Sequence, residues 1–251
     1  MIQIFICLLK KELRTFFCTP LAYAVLCFFW FILGLNFYWL LQQISDGERL
    51  IIALQLLFNS PLVIFSLPVV VPLVTMKLVA EERRLGTLES VLTTTVTDSQ
   101  FILTKFLSAL IFYLILWTPV TIYCVILQKI CNLQGVDFFN FGVLIGSFLG
   151  IFFIGIFYNA VGVFMSTLTK NQVIAAISGF SIIFSSLFVF MVLTYSTKYE
   201  GLRNIAQFFS TFNHMLDFSR GLIDSRYIIF YTLSSIWLLY SSISILKWKR
   251  Q

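Results

Sequence analysis

The segment Met76-Lys77-Leu78-Val79-Ala80-Glu81-Glu82-Arg83-Arg84-Leu85-Gly86-Thr87-Leu88-Glu89 concentrates charge in a chain that otherwise has little of it. Side chains of both signs at this density suit recognition of a partner surface rather than bond making. Gly86 can end a helix, because glycine takes left-handed geometry cheaply. Thr87 can then cap a new short helix, with Glu89 near its positive end. Leu88, Val91 and Leu92 would share one face of that helix at i, i+3, i+4, as a groove-binding helix requires. Asp98 is the expected cap of the next apolar helix, which starts at Phe101. The plain alternative is a solvated connector.

A second polar group is His214, Asp217, Arg220 or Gly221, and Asp224, spaced three or four apart so that they place one polar stripe on a helix. Asp217–Arg220 and Arg220–Asp224 have the spacing of ion pairs. A histidine beside carboxylates suggests a metal, but the third ligand is missing, so none is expected. The stripe reads as structural pairing, or as an outer gate or partner contact. Cys7, Cys18, Cys27, Cys124 and Cys131 form no C-x-x-C pair and read as packing residues, with a Cys124–Cys131 disulfide left open. No Ser/His, Cys/His or paired-carboxylate site falls within the apolar stretches, so the chain is not expected to be an enzyme. It lacks the G-x-x-x-x-G-K-[ST] phosphate cradle. No cofactor is therefore expected in this chain; ATP and Mg, if used, would be bound by another polypeptide.

The elements that must position these groups are membrane helices. Hydrophobic residues make up 59% of the chain and charged residues 11%, too few to coat a soluble surface. Apolar stretches at 21–41, 56–79, 101–127, 141–168, 173–195 and 228–246 are each long enough to cross a hydrocarbon core of about 30 Å as a helix. None shows the alternation of an outer-membrane strand. The fold class is all-α and polytopic: one transmembrane domain over 1–251, with an inner surface helix in 1–20, a cytoplasmic segment at 80–100 and an outer segment at 196–227.

Charge placement sets the expected orientation. With both termini in the cytoplasm, the inside holds Lys10, Lys11, Arg14, Lys77, Arg83, Arg84, Lys105, Lys170, Lys247, Lys249 and Arg250, which is 11 of the 17 basic residues. The net charge of +6 is therefore a topology signal, and nucleic-acid binding is not expected. The first apolar stretch is too long for a signal-peptide core and lacks a small-x-small exit, so no cleavable leader is expected.

Residues 2–17 read as an amphipathic surface helix. Phe5, Leu8, Leu9, Leu13, Phe16 and Phe17 form the apolar side, expected to rest in the headgroup region, and Gln3, Lys10 and Arg14 lie opposite. Pro20 then breaks the helix. The second span carries Pro61, Pro68 and Pro72, each able to kink it. Gly142, Gly146, Gly150, Gly155 and Gly162 in the fourth span predict a close-packing seam, within the chain or between protomers. No ionisable group lies deep in any span, and Lys105 is near the inner end of the third, which argues against ion-coupled transport. Residues 196–227 are too charged to span yet carry Phe208, Phe209, Phe212 and Phe218. They are expected to fold as short helices dipping into the outer leaflet.

The chain resembles the membrane subunits of ABC-2-type transporters, particularly the gliding-motility-type and nitrous-oxide-reductase-maturation-type permeases. The matching text is Lys10-Lys11-Glu12-Leu13-Arg14, Thr19-Pro20-Leu21-Ala22-Tyr23, Glu81-Glu82-Arg83 with Gly86-Thr87-Leu88-Glu89-Ser90-Val91-Leu92, Asp98 with Lys105, and Ser219-Arg220-Gly221-Leu222-Ile223-Asp224-Ser225-Arg226. Thr95 stands where the pattern has a proline, and Tyr227 where an acidic residue is common. The resemblance implies two membrane subunits, identical or related, each contacting a separate cytoplasmic ATPase. Carried over by position, Lys10, Lys11, Glu12, Arg14, Glu81, Glu82, Arg83, Gly86, Thr87, Glu89 and Leu92 would form the ATPase-coupling surface. The resulting expectation is a multi-pass permease subunit of the bacterial cytoplasmic membrane, driving export with a partner's ATP. A non-transporting scaffold is the alternative, and an ion-coupled carrier a distant third.

Overall fold

A computed structural model describes residues 2–45, 50–86, 97–133, 141–196 and 199–248, and among these the secondary structure is helical, with no strand. The surface helix α1 (Ile2–Cys18) bends at Thr19 into α2 (Pro20–Ser45). The next elements are α3 (Leu50–Asn59), α4 (Pro61–Thr75) and the short α5 (Ala80–Arg84). Then come α6 (Asp98–Leu116), α7 (Thr118–Leu133), α8 (Phe141–Leu168) and α9 (Gln172–Ser196). The short α10 (Glu200–Phe209) and α11 (Thr211–Ser219) precede α12 (Ser225–Trp248). Six segments are long and apolar enough to cross a membrane: Pro20–Gln43, Pro61–Arg84, Asp98–Lys129, Phe141–Leu168, Gln172–Ser196 and Ser225–Trp248.

Two breaks differ from the sequence expectation, and both follow from proline. Pro61 does not kink a span begun at Leu56; it is the first residue of α4, where its missing N–H costs nothing. The Leu57 carbonyl that Pro61 cannot reach instead accepts a hydrogen bond from Asn36 Nδ2 on α2 at 3.1 Å. Pro119 likewise interrupts the third span at Trp117, dividing it into α6 and α7. The carbonyls it frees are satisfied by Thr118 Oγ1, which donates to Ile115 O at 2.8 Å, and by Trp30 Nε1 of α2, which donates to Leu116 O at 3.2 Å. Without water, such partners are what makes a broken helix tolerable in lipid.

The core lies around α4, whose apolar window is 72% buried against 22% for the fifth and sixth spans. α8 is the other hub, packing on α4, α6, α9, α11 and α12. Its glycines explain how. A side chain at Gly150 would meet the Phe218 ring of α11, one at Gly155 the Tyr113 ring of α6, and one at Gly162 the side chain of Thr75 in α4. The seam is therefore filled from within the chain. Since lipid tails are as apolar as side chains, close van der Waals fit of this kind is the main source of helix association.

Cys124 and Cys131 lie on one continuous helix, α7. Seven residues rise about 10.5 Å along a helix, too far for a disulfide within the chain.

Candidate functional site

One end of the bundle gathers α1, α5, the start of α6 and the end of α8 around a buried cation. The cap of α6 is Thr97 rather than Asp98: Thr97 Oγ1 accepts from Gln100 N and Gln100 Oε1 accepts from Thr97 N, a reciprocal capping box. Asp98 instead sits in the first turn, as the helix dipole favours. Two turns later Lys105 is only 3% exposed. Its ammonium donates to Glu12 Oε2 of α1 at 2.7 Å and to Glu82 Oε1 of α5 at 2.6 Å. It also lies 5.4 Å from the centre of the Phe101 ring. One side chain thus ties the surface helix and the segment after the second span to the third span.

Glu12 corrects the expected orientation of α1. It is buried, at 6% exposure, so it faces the bundle rather than a partner. The apolar side of α1 also packs on protein: Phe16 stacks on Phe112 of α6 at 5.4 Å, and Phe17 lies 5.9 Å from the same ring. Lys10, Lys11 and Arg14 are exposed.

α5 is held by α8 as well. Between the end of α4 and the start of α5, the Ser166 hydroxyl donates to the Met76 carbonyl and accepts from the Val79 and Ala80 N–H groups, each at 3.1 Å. The Arg83 guanidinium donates to the Thr167 carbonyl. Nothing in the sequence singled out Ser166. Ser166→Ala should remove three buried hydrogen bonds and cost about 1–3 kcal/mol, read as a lowered melting temperature in detergent. Thiol labelling of a Leu85→Cys reporter should rise in parallel as α5 loosens.

Glu81 and Arg83 are half-buried and Arg84 is exposed. Gly86 takes φ +71°, the left-handed exit expected of it, with Gly86 N donating to Arg83 O. Thr87, Glu89 and Leu92, with the proposed helix cap and apolar face, lie outside the described residues.

Between α1, α2, α4, α5 and α6 is a cavity of about 320 Å³. Its charged wall carries Lys11, Glu12, Lys77, Glu81, Glu82 and Lys105, and its apolar wall includes Phe16, Ala22, Val25 and Phe112.

At the opposite end, the polar stripe is rearranged. α11 stops at Ser219, with Gly221 at φ +80°, Gly221 N donating to Phe218 O and Leu222 N to Asp217 O. This left-handed turn takes Asp224 off the helix. The expected ion pairs of Arg220 are not formed among the described residues. Asp217 Oδ2 accepts from the Tyr227 hydroxyl at 2.8 Å, Asp224 Oδ1 accepts from Arg226 N at 2.9 Å, and Arg220 is exposed. His214 is fully buried and pinned on both ring nitrogens: Nε2 to the Phe208 carbonyl at 2.9 Å and Nδ1 to the Tyr231 hydroxyl at 2.8 Å. A carbonyl only accepts, so Nε2 carries the proton and the neutral ring accepts from Tyr231 at Nδ1. No metal-ligating cluster occurs among the described residues.

Burial lowers the pKa of His214 to about 4, despite the Phe208 carbonyl and Asp224 pulling it up. The unfolded imidazole protonates near 6.5, so between about 4 and 6.5 the unfolded chain binds the extra proton. Stability from this site is therefore complete above that window and falls as pH drops through it. Melting temperatures of the wild type and His214→Gln should converge as pH is lowered from 7.5 to 4.5.

A sequence model for the family described as ABC-2 family transporter protein matches residues 41–246. The chain belongs to the ABC-2 transporter family. The match begins at the end of α2, so this ABC-2 region contains Glu82, Lys105 and Ser166 but not Glu12. Membership makes the chain a membrane-embedded permease component, consistent with its six spanning helices. A search of curated proteins gave no match. In this ABC-2 permease the charged end of the bundle is the candidate functional site, because there α1 and α5 are joined to α6 through a buried ion cluster.

Proposed function

We propose that this ABC-2 permease is driven by a separate cytoplasmic ATPase that pushes on α1 and on the segment beginning at α5, and that it works as an exporter in a bacterial cytoplasmic membrane. The observation that carries this reading is the Glu12–Lys105–Glu82 cluster. A displacement of either surface element is transmitted to α6 through charge-assisted hydrogen bonds shorter than neutral ones. Ser166 offers a second route, from α5 into α8. On this reading the charged end of the bundle and both termini face the cytoplasm, and the distribution of basic residues supports that orientation. ATP and Mg are bound by the partner, and a second membrane subunit, identical or related, completes the path. The motif resemblance favours the gliding-motility or nitrous-oxide-reductase-maturation type.

Within this scheme the residues divide by exposure. Lys10 and Arg14, one turn apart on the open side of α1, are direct contacts for the ATPase, as is the exposed Arg84; Thr87, Glu89 and Leu92 join the same coupling segment by the motif resemblance. Glu12 and Glu82 act instead through Lys105. Reversing both open charges, as Lys10→Glu with Arg14→Glu, should weaken ATPase association by about tenfold or more, with no change in melting temperature. Copurification and stimulated ATP hydrolysis measure this. Unchanged values for both would remove the coupling role of α1.

A further inference from the structure

We infer that the cavity beside the Lys105 cluster is a binding site for a phospholipid with a zwitterionic, primary-ammonium headgroup. The inference rests on the charged end lying at the inner leaflet, as in the function proposed above. The cavity of about 320 Å³ is at the lower limit of ligand-sized pockets. Its walls divide by polarity as a bilayer does at the boundary between headgroups and acyl chains. Ala22, Val25 and Phe112 form the apolar side, and Lys77 and Glu81 stand on the charged side.

The charge balance selects the headgroup. Lys105 is engaged by two carboxylates, which leaves that cluster one negative charge in excess. Glu81 adds a second negative charge, and Lys11 and Lys77 contribute two positive ones, so the wall is neutral but split. Among the described residues, Lys77 and Glu81 make neither an ion pair nor a side-chain hydrogen bond. They are one helical turn apart in sequence, and both are half-buried. A simple anion would meet Glu81 and the net negative charge of the Glu12–Lys105–Glu82 cluster, and a simple cation would meet Lys11 and Lys77. A group carrying a phosphate and an ammonium satisfies both. A primary ammonium donates hydrogen bonds to carboxylates, whereas a quaternary one has no N–H and needs an aromatic cage. The phosphoethanolamine head therefore fits and phosphocholine does not. An acyl chain would leave the head along the half-buried Phe16 and Leu21.

The test titrates phosphatidylethanolamine into phosphatidylcholine nanodiscs that hold the purified permease without its ATPase, and follows melting temperature and lipid retained by native mass spectrometry. Phosphatidylethanolamine should stabilise the wild type saturably, and phosphatidylglycerol should not. The double variant Lys77→Gln with Glu81→Gln removes two charge-assisted hydrogen bonds and should weaken the apparent affinity by about a hundredfold, roughly tenfold for each. Ala22→Leu, which fills the apolar wall, should reduce retention of the lipid while leaving Lys77 and Glu81 in place. Soluble phosphoethanolamine should give no shift at the same concentrations; an equal shift would show that only the headgroup is recognised and overturn the lipid assignment. Equal stabilisation by all three lipids, or an unchanged affinity in the double variant, would overturn the site. Because no ATPase is present, these outcomes are independent of whether the coupling reading holds.

Discussion

Lys105→Met is expected to abolish coupled activity and to destabilise the permease by about 3–5 kcal/mol, the range for removing one partner of a buried ion pair. The Glu12 and Glu82 side chains are 8% and 17% exposed, so loss of the ammonium leaves two carboxylates facing each other with little water. The measurement is melting temperature in detergent together with ATP hydrolysis stimulated by the partner. The informative control is the triple variant Glu12→Gln, Lys105→Met, Glu82→Gln. It removes every charge at once, so most of the lost stability should return, because well-packed neutral groups often replace a buried ion cluster at little cost. Coupling should not return, since the link between α1, α5 and α6 has gone. A triple variant with normal stimulation would show that the cluster holds the fold together and transmits nothing.

The second large effect is steric. Gly155→Leu should prevent assembly of the bundle, seen as loss of the monodisperse peak in size-exclusion chromatography of the solubilised protein. The first carbon of any side chain at Gly155 would already overlap the Tyr113 ring, and Tyr113 is itself fully buried beside Trp117. Overpacking a tight core costs about 1–3 kcal/mol and sometimes more. Here both partners sit on rigid helices that cannot separate without opening α6 from α8. Gly201→Ala is the matched control: nothing lies within 4 Å of its added carbon, so the chromatogram should be unchanged. Equal profiles for the two variants would refute the seam as the source of the α6–α8 fit.

How much of this was legible in the sequence depended on whether a single residue or a partner carried the information. The spans were readable because an apolar stretch of bilayer length has few other uses. The left-handed exit at Gly86 was readable because glycine adopts it without penalty. The start of α4 at Pro61 could have been read from the same proline logic, since proline favours a first helical turn. Glu12 shows a signal present but misread. Its position continues the apolar stripe of Phe5, Leu8, Leu9 and Phe16, and a lone acid there, with a lone lysine in the third span, implies an inward pair. Ser166 shows the opposite case. Ser178, Ser181, Ser185 and Ser234 all bond to their own helix, as most membrane serines do, so nothing local marks the one that bridges a distant break. The outer stripe failed because spacing alone assumed an unbroken helix, and Gly221 ends it.

The pairing of Glu12 with Lys105 joins residues 93 positions apart. During synthesis the acid emerges long before the cation it pairs with. The N-terminal helix must therefore wait, undocked at the membrane surface, until the third span has entered the bilayer. An early element thus docks only after a later one, and nascent chains halted before residue 105 should leave α1 open to protease.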